Sequence, residues 1–420
     1  MKIRTLFVYF CLFVFIYEVN FVFIPFLTSK QLMEALGIIM FFSDGKIRGS
    51  LQNYFGIFLS AALLIVIAFF SILVNGGGQW MYHMVLVSVI LNFFGAFFVC
   101  KISRCTIRTF EDLLKAILIC VLLQCSITVL FKAVPPVYDL IYGFVWSEGV
   151  ADNVEYGIES LYRLVGLGNA VAFSVLPTAG LGMLSCGYLL VRSKGKKFFI
   201  YSLLLFIIIC VSFLVARTSL LLAGLSVGYI LISLYTNNSK RKLVRFLLLF
   251  GGLFLIVGSV AIIILPSDMY LWAFEVFLNM QDGGSGTDTG TGQLLYSMAT
   301  ETQFTPMTYL IGDAMYTNPS GGYYGGADIG YSRQVYYYGF IGLLAFLALH
   351  YKIIKKSMRK CINKESKRFF LFIFFSFLVI LLKGDMVIAP LFLFLLLMMN
   401  YTIAPNDSRL PNTDITNKLI

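Results

Sequence analysis

Residues 198–235 read FFIYSLLLFIIICVSFLVARTSLLLAGLSVGYILISLY, 38 residues in which Arg217 is the only charge. As one helix rising 1.5 Å per residue the run would measure about 57 Å, nearly twice the roughly 30 Å hydrocarbon core of a bilayer. It reads as two spanning helices joined by a tight hairpin at Arg217. The rest of the chain is of the same kind. Hydrophobic residues fill 59% of its 420 positions and charged residues only 13%, a balance that excludes an ordinary soluble domain.

Further apolar runs of spanning length lie near 5–25, 53–74, 81–100, 113–131, 164–191, 244–265, 334–351, 369–382 and 386–403. Lys2 and Arg4 precede the first of them, and no small-residue cleavage site follows, so it reads as a spanning helix and not a removed signal peptide. Residues 31–43 are short and hold Glu34, which alone would make them re-entrant or interfacial. Parity argues otherwise. With that segment counted as a span, 26 of the 32 Lys and Arg fall on one side together with six acids, while the other side keeps 15 acids. By the positive-inside rule the basic side is cytoplasmic. The expectation is an all-α polytopic membrane protein, one integral domain over residues 1–420, with about twelve transmembrane helices and both termini inside. Two larger outer loops remain, about 133–162 and 267–332, the second containing short helices.

The net charge of +11 would point to nucleic acid in a soluble chain, but these basic residues sit in short clusters between apolar runs and act as topology signals. The eight cysteines lie in apolar runs or beside basic clusters, without a disulfide framework or zinc spacing. His83 and His350 each stand inside an apolar run, so no metal site is expected.

From Ser267 to Ser332 the chain carries 66 residues with seven acids and no Lys or Arg, rich in Gly and Tyr. Its irregular backbone could not be satisfied in hydrocarbon, so it is read as a folded extramembrane element. Short helices are expected near 269–280 and 293–303, joined by a Gly/Thr hinge at 281–293 that would let the loop act as a lid. Within the hinge, Gly283 to Asp288 spells GGSGTD, the start of a calcium-binding nonapeptide. It occurs once, and such repeats bind only when stacked, so calcium is rejected.

Three outer arginines, Arg163, Arg217 and Arg333, stand alone at helix ends with apolar flanks. An ionisable group at membrane depth needs a partner, and the planar guanidinium fork suits phosphate; the competing reading is that these side chains snorkel to headgroups or pair with local acids. In the second loop, Tyr316, Tyr323, Tyr324 and Tyr331 are interleaved with acids and glycines. Such rings pack on the C–H faces of sugars and equally form interfacial aromatic belts, and for Tyr336 to Tyr338 the belt is the expectation. Asp328, five residues before Arg333, could accept a proton from an attacking hydroxyl or cap the following helix. Glu301 and Asp313 are rival bases, with Glu155 and Glu159 behind them.

Arg163-Leu164-Val165-Gly166-Leu167-Gly168-Asn169, Ala216-Arg217-Thr218-Ser219 in an outer turn, and Gly312-Asp313 followed by Asp328-Ile329-Gly330-Tyr331-Ser332-Arg333 and Tyr338-Gly339-Phe340-Ile341-Gly342 resemble, in that order, bacterial O-antigen polymerases of the Wzy type. The twelve-helix plan with two enlarged outer loops is similar too. What this resemblance implies is a membrane glycosyltransferase of GT-C-like plan on the periplasmic face of the bacterial inner membrane. It would move a growing glycan en bloc from undecaprenyl diphosphate onto a new lipid-linked repeat unit, with no cofactor. The resemblance assigns diphosphate binding to Arg163, Arg217 and Arg333, and implies a chain-length regulator and a flippase as partners. An O-antigen ligase, or another polyprenyl-diphosphate glycosyltransferase, is the alternative enzyme; ligases of similar plan carry an outer-loop histidine, which this chain lacks. A polysaccharide flippase or secondary transporter is the alternative of another class, but it would show repeat symmetry and short loops.

Overall fold

The computed structural model describes residues 3–24, 27–43, 52–104, 106–145, 164–168, 172–264, 304–319, 322–326, 329–384 and 389–401. Secondary structure among them is helical, with three isolated antiparallel bridges and no extended sheet. The helices are α1 (Ile3–Tyr17), α2 (Ser29–Ser43), α3 (Phe55–Val74), α4 (Met81–Ser103), α5 (Phe110–Ala133), α6 (Pro135–Tyr142), α7 (Leu176–Arg192), α8 (Lys196–Val215) and α9 (Ser219–Thr236). They continue with α10 (Lys240–Ile264), α11 (Pro306–Leu310), α12 (Gly330–Lys360), α13 (Lys364–Ile380) and α14 (Ala389–Tyr401). Six of them, α3, α5, α8, α9, α12 and Lys240–Ser259 within α10, are long and apolar enough to cross a membrane. The hairpin expected at Arg217 is present as α8, a turn, and α9.

Two expected helices begin or end elsewhere. The apolar run 5–25 is helical only to Tyr17. Glu18 takes φ 42° and the chain folds back through an Asn20–Thr28 bridge, because Ser29 caps the return: its hydroxyl donates to Val14 O at 2.9 Å and accepts from Val19 N at 2.8 Å. Likewise 164–191 is not one helix. Residues 164–168 are non-helical, and α7 starts at Leu176 with Pro177 in its first turn, where a missing N–H costs nothing.

Helix α7 is the centre of the bundle, buried on nearly every side from Leu176 to Val191. Its small residues explain why it can be. A Cβ on Gly182 would lie 2.8 Å from Val121 of α5, and one on Gly187 3.2 Å from Ile230 of α9, so both neighbours approach the α7 backbone closely. Hydrogen bonds fix the directions. The Cys186 thiol donates to Tyr201 O, so α7 and α8 run antiparallel, while the Tyr188 and Ser366 hydroxyls meet at 3.1 Å, placing the end of α7 beside the start of α13. The far end of α13 receives the Tyr331 hydroxyl at Leu378 O, 2.9 Å away. Following this chain of pairings, α8 returns to the end of the bundle where α12 begins. Arg217 and Arg333 therefore share one end.

Candidate functional site

Helix α12 is broken at Tyr338 (φ −138°, ψ 24°) and Gly339 (φ 69°, ψ −177°). A break strands the carbonyls one turn back, and in an apolar bundle each must find a donor. Asp313 N–H supplies Tyr336 O at 2.6 Å and the Ser71 hydroxyl supplies Tyr337 O at 3.0 Å. The close approach depends on two facing glycines. Gly312, at φ 82°, would place a Cβ 2.6 Å from Gly339 N, and a Cβ on Gly339 would overlap Leu310 O. The break thus docks residues 310–313, in the loop that precedes it, directly onto α12.

The turn between α3 and α4 holds the next part of that loop. Gln79 Oε1 accepts from the amides of Tyr316 and Thr317 at 2.8 and 2.9 Å, and its Nε2 donates to Thr317 O and Oγ1, each at 2.7 Å. Asn75 Nδ2 donates to Gly312 O at 2.8 Å. Thr317 and Tyr323 then pair through an isolated antiparallel bridge.

Arg333 lies against two of these tyrosines. The guanidinium carbon lies 3.8 Å from the Tyr316 ring centre and 4.2 Å from that of Tyr323, so two π systems are within cation–π distance of the charge. The residue is only 8% exposed, and its Nε has no hydrogen-bond partner among the described residues. A guanidinium held by ring contacts keeps its N–H edge, a fork suited to phosphate or carboxylate.

Next to the α12 break, Asp313 Oδ1 accepts from Thr308 Oγ1 at 2.7 Å. Burial, followed by the charge and hydrogen bond of Asp313, pushes the Tyr324 hydroxyl above the ordinary tyrosine range. Tyr324 also meets the Tyr336 ring edge-on at 5.2 Å. The loop residues before α12 thus carry a carboxylate that accepts from Thr308 and raises the Tyr324 pKa, and two tyrosine rings that contact the Arg333 cation.

Of the residues singled out by sequence, the structure gathers Arg333, Tyr316, Tyr323, Tyr324 and Asp313. Tyr331 stands apart, half-buried and bonded to α13. Arg217, partly exposed, occupies the α8–α9 turn. Arg163, Asp328 and Glu301, together with Glu155, Glu159 and the hinge at 281–293, lie outside the described residues, though Leu164 N–H donates to Leu214 O, three residues before Arg217. The aromatic belt expected at Tyr336 to Tyr338 is corrected: all three are buried, because the broken helix turns them into the bundle, where the Tyr337 hydroxyl donates to Gln79 O and that of Tyr338 to Gln334. Ser71, Asn75 and Gln79 had no place in the sequence reading. The run Asn75-Gly76-Gly77-Gly78-Gln79 was their only signal, since a Cβ on Gly78 would sit 2.7 Å from that of Ala314.

No protein-family model matches the chain, and no match is found among curated proteins.

Proposed function

We propose that the chain is an O-antigen polymerase of the bacterial inner membrane, with twelve spans, both termini cytoplasmic and the Arg217/Arg333 end facing the periplasm. The observation that carries it is the buried Arg333 guanidinium, in contact with the Tyr316 and Tyr323 rings at the same end of the bundle as Arg217. In this reading the two arginines, with Arg163, hold the donor diphosphate, and Tyr316, Tyr323 and Tyr324 offer ring faces and hydroxyls to sugar.

The reaction needs one bond made and one broken. An acceptor hydroxyl oxygen attacks the anomeric carbon of the donor glycan; the bond to the diphosphate oxygen breaks, and its electron pair leaves with undecaprenyl diphosphate, where fixed positive charge stabilises it. The hydroxyl proton goes to a carboxylate. Asp313 supplies that carboxylate when a sugar hydroxyl displaces Thr308 or Tyr324 from it.

A broken helix is also a feature of ion-coupled transporters, where unwound carbonyls coordinate the ion. Here the carbonyls of Tyr336 and Tyr337 already accept from Asp313 and Ser71, which favours the enzyme. Purified protein given a defined undecaprenyl-diphosphate repeat unit is expected to yield products of two or more units. Absence of any such product, with the intact substrate moved across reconstituted vesicles, would replace the polymerase with a flippase.

A further inference from the structure

At the other end of the bundle, a groove of about 620 Å³ lies between the starts of α8 and α10. Three of its lining residues are cations, Lys194, Lys242 and Arg245, and the wall continues into Phe199, Leu248 and Leu249. Lys242 is fixed in place: its Nζ donates to Ser193 O at 2.8 Å and Val191 O at 3.1 Å, the carbonyls that close α7. Lys194 and Arg245 are both exposed. Among the described residues no acid lines the groove.

The surroundings are apolar on the membrane side. Phe199 is 53% and Leu248 72% exposed, and only 6% of the apolar window of α10 is buried against the protein. A small anion would meet the cations but leave the Phe199, Leu248 and Leu249 wall without a role. A molecule that is anionic at one end and apolar along its length matches both parts, and basic pockets between membrane helices recognise lipid headgroups in this way.

We infer that this groove is a site for an anionic phospholipid, its phosphate between Lys194 and Arg245 beside the fixed charge of Lys242, and an acyl chain along Leu248, Leu249 and Phe199. Its occupant steadies α10, the helix that leads in sequence into the second outer loop at Ser267. The site depends on the protein lying in a membrane but not on any glycan chemistry, so the two assignments fail separately.

The test is native mass spectrometry of the purified full-length protein, equilibrated with equal amounts of phosphatidylglycerol and phosphatidylcholine of identical acyl chains. The wild type is expected to retain phosphatidylglycerol at least about 25-fold better, and Lys194→Gln with Arg245→Gln to lose about fivefold for each charge removed. Arg241→Gln, on the same helix but outside the groove lining, should leave the preference intact, as should added inorganic phosphate. Equal retention of the two lipids by the wild type would overturn the site, and so would an unchanged preference in the double variant. Displacement by inorganic phosphate alone would make it a free-anion site. An equal loss in Arg241→Gln would reduce it to general basic attraction. Should the double variant fold poorly, the wild-type melting temperature decides: it must rise with phosphatidylglycerol and not with phosphatidylcholine.

Discussion

The hydroxyl of Ser71 in α3 donates to the carbonyl oxygen of Tyr337 in α12 at 3.0 Å, occupying the acceptor that the break at Tyr338 and Gly339 sets free. Ser71→Ala leaves that carbonyl buried without its donor, a loss of about 1–3 kcal/mol. A lower midpoint of thermal inactivation checks this, and an unchanged midpoint would mean another donor takes over.

Gly312 and Gly339 face each other across the same break, both with positive φ. Either glycine replaced by alanine meets backbone strain of about 1–3 kcal/mol and a backbone clash that no rotamer relieves. Membrane-inserted protein is expected to fall sharply for both variants on immunoblots of membrane fractions. Gly251→Ala, on α10 with open space at its Cβ, should be tolerated.

Arg333 owes its position to two rings, each contributing about 0.5–2 kcal/mol to a partly desolvated cation. Tyr316→Ala and Tyr323→Ala should therefore each shorten polymer, as read on a lipopolysaccharide gel, without loss of protein. Arg333→Lys and Arg217→Lys should also be poor, because ammonium lacks the planar fork. Full activity of Arg217→Lys would leave that residue only the task of marking the hairpin.

Asp313→Asn keeps an acceptor for Thr308 but removes the charge felt by Tyr324 and cannot take a proton. Polymer should be lost, and the Tyr324 hydroxyl should titrate closer to the ordinary tyrosine value while its burial still holds it above. The sign follows from the raised pKa. Its contribution to stability is complete below the unfolded tyrosine value of about 10 and disappears as pH climbs through the folded one. The ultraviolet difference between wild type and Tyr324→Phe during an alkaline titration reports it directly, and identical curves for wild type and Asp313→Asn would break the link.

Much of the helical frame was legible because hydrocarbon imposes a length. The 38-residue run around Arg217 can only be folded in half, and the structure folds it there. Helix ends were less legible where a side chain captured the backbone, as Ser29 does after Tyr17, or where the chain left the helix before α7. The candidate site divides in the same way. Arg333, Asp313 and the tyrosines stood out by residue type, since charge and aromatic rings are unusual against an apolar background. Ser71, Asn75 and Gln79 did not, because a polar side chain facing a distant loop leaves no local pattern.

By itself the sequence determined that this protein is helical and built for a bilayer, with arginine at a hairpin and a large polar loop that cannot enter hydrocarbon; hydrophobic run length and backbone hydrogen bonding suffice for that. Only the tertiary structure decided that Arg333 contacts the Tyr316 and Tyr323 rings, that Asp313 accepts from Thr308, and that Tyr336 to Tyr338 turn inward. Those contacts hang on one broken helix and on pairings such as Gln79 with Thr317, 238 residues apart, which no period or composition along the chain encodes.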